Sequence, residues 1–118
     1  MNSAIDFSQM CPRYEKAIEL LGKRWTGLIL RSLLERSRRF TEITGYVEGL
    51  SDRLLSERLQ ELEEAGIVER RVNTGRPVTV EYALTEKGND LREALEAIQM
   101  WANRWIPQEE PVARSGHL

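Results

Sequence analysis

The sequence predicts a single, mainly α-helical domain with a small β-hairpin. Its 118 residues suit one domain and can bury enough surface for a self-sufficient core. Apolar residues recur at helical spacing in four stretches before residue 66, whereas residues 67–84 alternate between apolar and polar types. Helical spacing returns after Thr85. We therefore expect a helical cluster, a hairpin and a long C-terminal helix, in that order.

The first two helices are bounded by proline and glycine. Pro12 suits the first turn of a helix that carries Tyr14 and Ile18 on one apolar face and stops at Gly22. A second helix is predicted over about residues 24–36, where leucines dominate the apolar positions.

The next two helices are shorter and better capped. Residues 40–43 open a third helix with Thr41 as its N-cap, and it ends near residues 45–49. Ser51 caps a fourth helix, which stops at Gly66. Its predicted buried stripe consists of Leu55, Leu59, Leu62 and Ala65.

Two β-rich runs follow. Residues 67–72 and 78–84 flank an Asn/Gly/Pro connection at residues 73–77, which is typical of a hairpin. Pro77 is placed at its tip or edge, where a missing N–H costs nothing.

The last helix is predicted from the cap Thr85 to about Trp105, roughly 30 Å long. Its apolar residues follow a 4-3-4-3 spacing over about two heptads, which favours a homodimer, although packing on the chain's own core is the alternative. These positions are Leu91, Leu95, Ile98, Ala102 and Trp105, widened by Met100 and Trp101. The predicted domain spans 11–106, between an N-terminal tail (1–10) and a flexible C-terminal tail (107–118).

The composition excludes several classes of protein. A single cysteine excludes an intrachain disulfide and a cysteine-based zinc cluster. The only histidine, His117, cannot supply a two-histidine metal site, so we expect neither a metal, a cofactor nor an enzyme. With no apolar run near the ~20 residues of a membrane span and no signal-peptide pattern, a cytoplasmic protein without membrane contact is expected.

The net charge of −2 argues at first against a polyanionic partner. However, 14 of the 17 basic residues are arginine, and residues 23–39 carry a local +5 while residues 51–66 carry −3. Such runs are either solvated faces or separate basic and acidic zones, and charge alone does not choose between them.

Helices followed by a hairpin in this order predict a winged helix-turn-helix protein that binds double-stranded DNA. The major groove of B-DNA admits one helix, and the hairpin can lie along the neighbouring backbone. The helix after Ser51 is the candidate recognition helix, with outward polar residues Ser51, Arg53, Ser56, Glu57 and Gln60. The candidate phosphate contacts are Arg38, Arg39, Thr41 and Arg76.

The ordered segments of the chain resemble the HxlR-type family of bacterial winged-helix regulators. These segments are LGKRW (21–25), RFTEI (39–43), LSERLQEL (55–62), GIVER (66–70) and YALT (82–85), together with the late Trp101. The resemblance covers about residues 11–105. It implies a repressor that binds a pseudo-palindromic operator as a homodimer held by its first and last helices, which adds Tyr14 and Ile18 to the interface.

The resemblance is strongest to the thiol-based branch that responds to quinones, diamide and other electrophiles. That points to Cys11 as the sensor, although a lone cysteine is often an inert small hydrophobe. Cys11 precedes Pro12 at a helix start, where N–H groups, the helix dipole and Arg13 favour a thiolate. Some members of the branch carry a second cysteine near the C-terminus, and this chain has none.

The missing cysteine limits the chemistry of Cys11. It leaves alkylation by a quinone, a mixed disulfide with a low-molecular-weight thiol, or a Cys11–Cys11′ bridge, of which we favour the first two. The alternatives to a thiol switch are a regulator controlled by a small ligand and a winged-helix protein-interaction module. A thiol peroxidase is the weakest alternative, because no second cysteine resolves a sulfenate.

Overall fold

The structure is a computed structural model that describes residues 4–109. The elements in chain order are α1 (Pro12–Leu21), α2 (Thr26–Glu35), β1 (Arg38–Arg39), α3 (Phe40–Tyr46), α4 (Asp52–Glu64), β2 (Val68–Asn73), β3 (Thr79–Leu84), α5 (Glu86–Asn89) and α6 (Arg92–Trp105). The predicted fold class, a winged helix-turn-helix with a C-terminal helix, is confirmed. Parts of both predicted tails, residues 1–3 and 110–118 with His117, lie outside the described residues.

The core is built by α2, α3 and α4 under the start of the hairpin. The leucine stripe predicted for α4 is buried, with Leu55, Leu59 and Leu62 no more than 2% exposed. Aliphatic side chains of the neighbouring elements close around it: Ile29, Leu30, Leu33, Ile43, Ile67 and Val68. Ser51 caps α4 as predicted, and Gly66 follows its end at a φ of +76°, where a side chain would be strained.

The hairpin forms as predicted, with β2 and β3 antiparallel from the pair Val68↔Leu84 to the pair Asn73↔Thr79. The sheet contains a third strand that the sequence did not predict. β1 pairs with the other side of β3 through Arg38↔Tyr82 and Arg39↔Glu81, which gives the order β1-β3-β2. A strand of two residues is too short for a period-2 pattern. It joins the α2–α3 connection to the β2–β3 hairpin (residues 68–84), which is the wing of the fold.

One predicted helix start and one predicted N-cap each differ from the structure by two residues. α2 begins at Thr26 instead of residue 24. Trp25 has a φ of +80°, which is outside the helical region, so it can precede the helix but cannot be part of it. The N-cap of α3 is Arg39, and Thr41 is already inside the helix. The backbone N–H of Arg39 donates to Glu42 Oε1 at 2.9 Å, so the carboxylate satisfies the helix start in place of a threonine hydroxyl.

The predicted C-terminal helix is present but divided. Its first turn is the separate helix α5, and α6 alone measures about 21 Å, 14 residues at 1.5 Å each. The break follows from close packing at Gly88, where an added Cβ would lie 2.2 Å from the carbonyl oxygen of Ile67. The N–H of Leu91 then bonds the Gly88 carbonyl, a tight turn that redirects the chain into α6.

The helices α1 and α6 contribute no buried residue to the described chain. Tyr14 on α1 is 62% exposed, and Trp101 and Trp105 on α6 are 60% and 63% exposed. Both helices therefore present apolar side chains that their own chain does not cover. No helix within residues 4–109 is long and apolar enough to cross a membrane.

Candidate nucleic-acid interface and thiol

The outer face of α4 is exposed along its whole length, as the sequence predicts. The five polar residues expected on this face are exposed: Ser51, Arg53, Ser56, Glu57 and Gln60. The Arg53 side chain is 83% exposed, with Nη1 3.6 Å from Glu57 Oε2. The Ser51 hydroxyl accepts the N–H of Leu54 at 3.1 Å and so serves the helix cap as well. The face offers donors and acceptors that can reach base edges.

The other arginine of α4 is turned inward. Arg58 donates from Nε to the Arg24 carbonyl at 3.0 Å and lies 3.4 Å from Glu61, with only 15% of its side chain exposed. Glu61 in turn accepts from Lys23 Nζ at 2.9 Å. These contacts fix α4 to the turn before α2 and pair Glu61 with two basic side chains.

The predicted phosphate contacts divide into exposed and buried side chains. Thr41 and Arg39 are exposed beside the start of α3, and Arg76 is exposed in the β2–β3 connection. Arg39 Nη2 lies 3.8 Å from Glu42 Oε2, a distance that leaves the guanidinium free to bind elsewhere. These three side chains remain available to a DNA backbone.

Arg38 does not fit the predicted role. The residue is 7% exposed, its Nε donates to the Ser32 carbonyl at 2.6 Å, and its guanidinium pairs with Glu35 and stacks 4.7 Å from the Tyr46 ring centre. A cation held by a carbonyl, a carboxylate and an aromatic ring, with 8% of its side chain exposed, has little surface left for a phosphate. The geometry makes Arg38 a structural residue that joins α2 to α3. The sequence prediction failed here because charge density along a sequence does not reveal which side chains are buried.

Four basic side chains in residues 4–109 form no hydrogen bond, ion pair or ring contact: Arg13, Lys16, Arg70 and Arg76. Arg70 and Arg76 belong to the wing, where a free cation suits a phosphate. Arg13 and Lys16 belong to α1.

Cys11 lies at the N-cap of α1 and is exposed. Its carbonyl accepts the N–H of Glu15 at 3.0 Å, but its side chain makes no capping hydrogen bond. The thiol is therefore accessible to a reagent while its backbone is held by the helix. Within the described residues, no cluster of histidine, cysteine and carboxylate side chains could hold a metal ion.

The residues predicted for a dimer interface are of two kinds. Leu91 and Leu95 pack partly against the chain's own core, and Ala102 is partly buried. The remaining side chains stand exposed on α1 and α6: Tyr14, Ile18, Ile98, Trp101 and Trp105. Half of the heptad pattern thus serves the monomer, and the other half is left uncovered.

A chain of polar contacts that sequence reasoning missed connects α6 to the helix-turn-helix. Gln99 donates to Asn103 Oδ1 and accepts from Arg31 Nε, both at 2.9 Å. Arg31 also donates to the Tyr46 hydroxyl, and the Tyr46 ring covers the Arg38 guanidinium. No spacing rule links residues so far apart in sequence. Through β1, the chain of contacts reaches the sheet that carries the wing.

The start of α3 carries a perturbed carboxyl group. The backbone N–H of Arg39 lowers the pKa of Glu42 below its ordinary value, and the neighbouring Arg36 and Arg39 charges act in the same direction. The ionised carboxylate is thus part of the helix start.

Comparison with known proteins agrees with this geometry. The sequence profile of the HxlR-like helix-turn-helix family matches residues 20–110. The chain belongs to this family. Among HxlR-like relatives in Bacillus subtilis (strain 168), the HTH-type regulator YvaP is 52% identical over 99 residues, which cover 84% of this chain and 92% of YvaP. YodB from the same strain is 48% identical over 103 residues, covering 87% and 92%.

Solved structures of YodB extend the HxlR-like match to three dimensions. The reduced form of YodB from B. subtilis superposes with a TM-score of 0.75 at 45% identity, covering 86% of this chain and all of that one. Its quinone-bound form superposes with a TM-score of 0.70 at 46% identity, covering 81% and all. The chain is therefore a helix-turn-helix transcriptional regulator, and the expectation that it is not an enzyme is confirmed by its family.

Proposed function

We propose that this HxlR-family chain is a homodimeric repressor that binds operator DNA and releases it when Cys11 is modified by an electrophile. The observation that carries the proposal is that the exposed Cys11 thiol lies at the N-cap position of α1, a helix without a fully buried residue. The diamide-treated and quinone-bound structures of YodB, a relative of the chain, support this chemistry.

In the proposed complex, α4 enters the major groove. Arg53, Ser56 and Gln60 face base edges, while Arg39, Thr41 and Arg76 contact the flanking phosphates. The core leucines fix the rotation of α4 about its axis, so the polar face is presented without rearrangement.

The second copy covers the apolar side chains of α1 and α6. Tyr14 and Ile18 on α1 and Trp101 and Trp105 on α6 are large, half-exposed or more, and unpaired by their own chain. Large aromatic side chains of this kind supply much of the binding energy of protein interfaces. A two-fold dimer places its recognition helices about 34 Å apart on a pseudo-palindromic operator.

The proposed chemistry needs only one thiol per chain. The Cys11 thiolate adds to a ring carbon of a quinone, forming a C–S bond. The displaced π electrons move to the carbonyl oxygen, which takes up a proton. With diamide as oxidant, Cys11 and a low-molecular-weight thiol lose two electrons and two protons to the azo group and form a mixed disulfide. A Cys11–Cys11′ bridge requires the two Cα atoms to come within about 7 Å.

An adduct at Cys11 acts on the interface through α1. Added bulk at the N-cap shifts α1 against the partner, and the change in dimer geometry alters the spacing of the two recognition helices. The contacts from α6 through Arg31 and Tyr46 support a second route to the helix-turn-helix.

The thiol switch is tested by operator release. DNA upstream of the protein's own and neighbouring genes is footprinted with and without a quinone, for the wild type and for Cys11→Ser. We expect the quinone to remove the wild-type footprint and to leave that of the variant. If the variant is released equally, Cys11 is silent and control by a small ligand is the better description.

The DNA interface is tested with Arg53→Ala and Arg76→Ala. Arg53→Ala should cost about 1–3 kcal/mol and relax base preference, whereas Arg76→Ala should weaken all sequences alike and reduce the salt slope by about one. Fluorescence anisotropy over a salt series measures both effects. Affinity that is insensitive to salt and to both substitutions would favour a protein-interaction module instead.

A further inference from the structure

A cavity of about 330 Å³ lies between α1 and the junction of α5 with α6. Its apolar wall is formed by Leu20, Leu21, Ile67 and Leu91. The α1 residues that line it are 13, 16, 17, 20 and 21, a face that borders the one proposed to meet a partner. The volume suits a small aromatic molecule of two or three rings.

The charged residues that line the cavity are all basic. They are Arg13, Lys16 and Lys87, and no carboxylate is among its described lining residues. Lys87 is held in place because its Nζ donates to the Ala65 carbonyl at 2.7 Å. Arg13 and Lys16 are two of the four basic side chains without a partner in residues 4–109, and the other two lie on the wing. Neither Arg13 nor Lys16 belongs to the proposed DNA interface.

A lining that combines four apolar side chains with three cations matches a ligand that is both apolar and anionic. We propose that this cavity binds an amphipathic organic anion, an aromatic ring system with one carboxylate or sulfonate. The rings lie against the leucines and Ile67, and the anionic group meets Arg13 and Lys16, where charge-assisted hydrogen bonds add to the apolar contact. A neutral molecule of equal size gains only the apolar contact.

The test uses two fluorescent dyes with the same rings, anilinonaphthalene sulfonate and the uncharged phenylnaphthylamine, titrated into the full-length protein without DNA. We expect the double variant Arg13→Gln/Lys16→Gln to weaken sulfonate binding about tenfold and to leave the neutral dye unchanged. Added salt should weaken only the sulfonate. Arg70→Gln, which removes an unpartnered cation far from the cavity, is the matched control and should change neither affinity.

A second variant tests the position of the rings. Ala17→Phe fills the cavity from the exposed side of α1 and should abolish binding of both dyes, while circular dichroism confirms that the variant folds.

Several results would overturn the proposal. Sulfonate binding that survives Arg13→Gln/Lys16→Gln, or that is lost in Trp101→Ala instead, would place the dye on the apolar faces of α1 and α6. If neither dye bound the wild type, the cavity would be closed in solution, for example by a second copy. Because no DNA is present, none of these results bears on the proposed repressor function.

Discussion

The proposed recognition helix α4 and the C-terminal helix α6 are nearly equal in length, and both are amphipathic. α4 buries three leucines in its own chain, whereas α6 buries no residue and leaves two tryptophans at least 60% exposed. The same spacing of apolar residues therefore gives a stripe that the chain's own core covers in α4 and a stripe that stays largely exposed in α6. A hydrophobic stripe predicts a helix, but it does not say which molecule covers the stripe.

This difference fits the two functions proposed for the helices, DNA binding for α4 and dimerisation for α6. The helix that is completed within the chain has a fixed orientation, as a groove-reading surface requires. The helix that is left uncovered is free to pack on a second copy. Substitutions in the two stripes should then affect different equilibria, folding for α4 and association for α6.

The largest effect is expected in α4. Leu59→Ala removes a side chain that is 2% exposed at the centre of the core, so the free energy of unfolding should fall by about 2–5 kcal/mol. Urea denaturation followed by circular dichroism measures the change. Leu28→Ala, at a half-exposed leucine of α2, is the control and should cost much less. Equal losses from both leucines would mean that α4 is not the centre of the core.

A smaller effect on a different equilibrium is expected in α6. Trp101→Ser should leave the fold intact but raise the dimer dissociation constant by roughly 30-fold or more, about 2 kcal/mol, because a large exposed aromatic residue is lost from the proposed interface. Sedimentation equilibrium measures it, with Glu93→Gln on the same helix as control. If Trp101→Ser lowered unfolding stability at every protein concentration while leaving association unchanged, the side chain would serve the monomer.

The sequence predicted the parts of this molecule that depend on neighbours along the chain. The α4 stripe, the Ser51 cap and the hairpin all follow from local spacing, and so does the exposed polar face with Arg53. Features set by distant contacts were missed. β1 forms because β3 offers an edge, the C-terminal helix breaks because Gly88 packs on the Ile67 carbonyl, and Arg38 is buried by Tyr46 and Ser32.

A modest effect is expected where the two regions are joined. Tyr46→Phe keeps the ring over Arg38 but removes the hydroxyl that accepts from Arg31, so stability should fall by about 0.5–1.5 kcal/mol at most. Amide hydrogen exchange should rise in α6 more than in α4, since Arg31 also holds Gln99. An increase confined to α3 would show that the contacts do not couple α6 to the helix-turn-helix.

The smallest effect is expected in the pH dependence of stability, and it should arise at the start of α3 and not in α6. The pKa of Glu42 is lowered in the folded state, chiefly by the Arg39 N–H, so its carboxylate stabilises the fold at pH values above its ordinary pKa. That contribution is lost as the pH falls through the lowered value, because protonation removes the charge that the N–H and the arginines favour. Glu42→Gln should therefore flatten the acid side of the stability profile, measured by urea midpoints between neutral pH and about pH 3. Glu93→Gln on α6 should leave that limb as steep as in the wild type. An equally steep limb in Glu42→Gln would mean that the Glu42 carboxylate does not stabilise the start of α3. A flattened limb with an unchanged dimer dissociation constant would show that the start of α3 affects folding and not association.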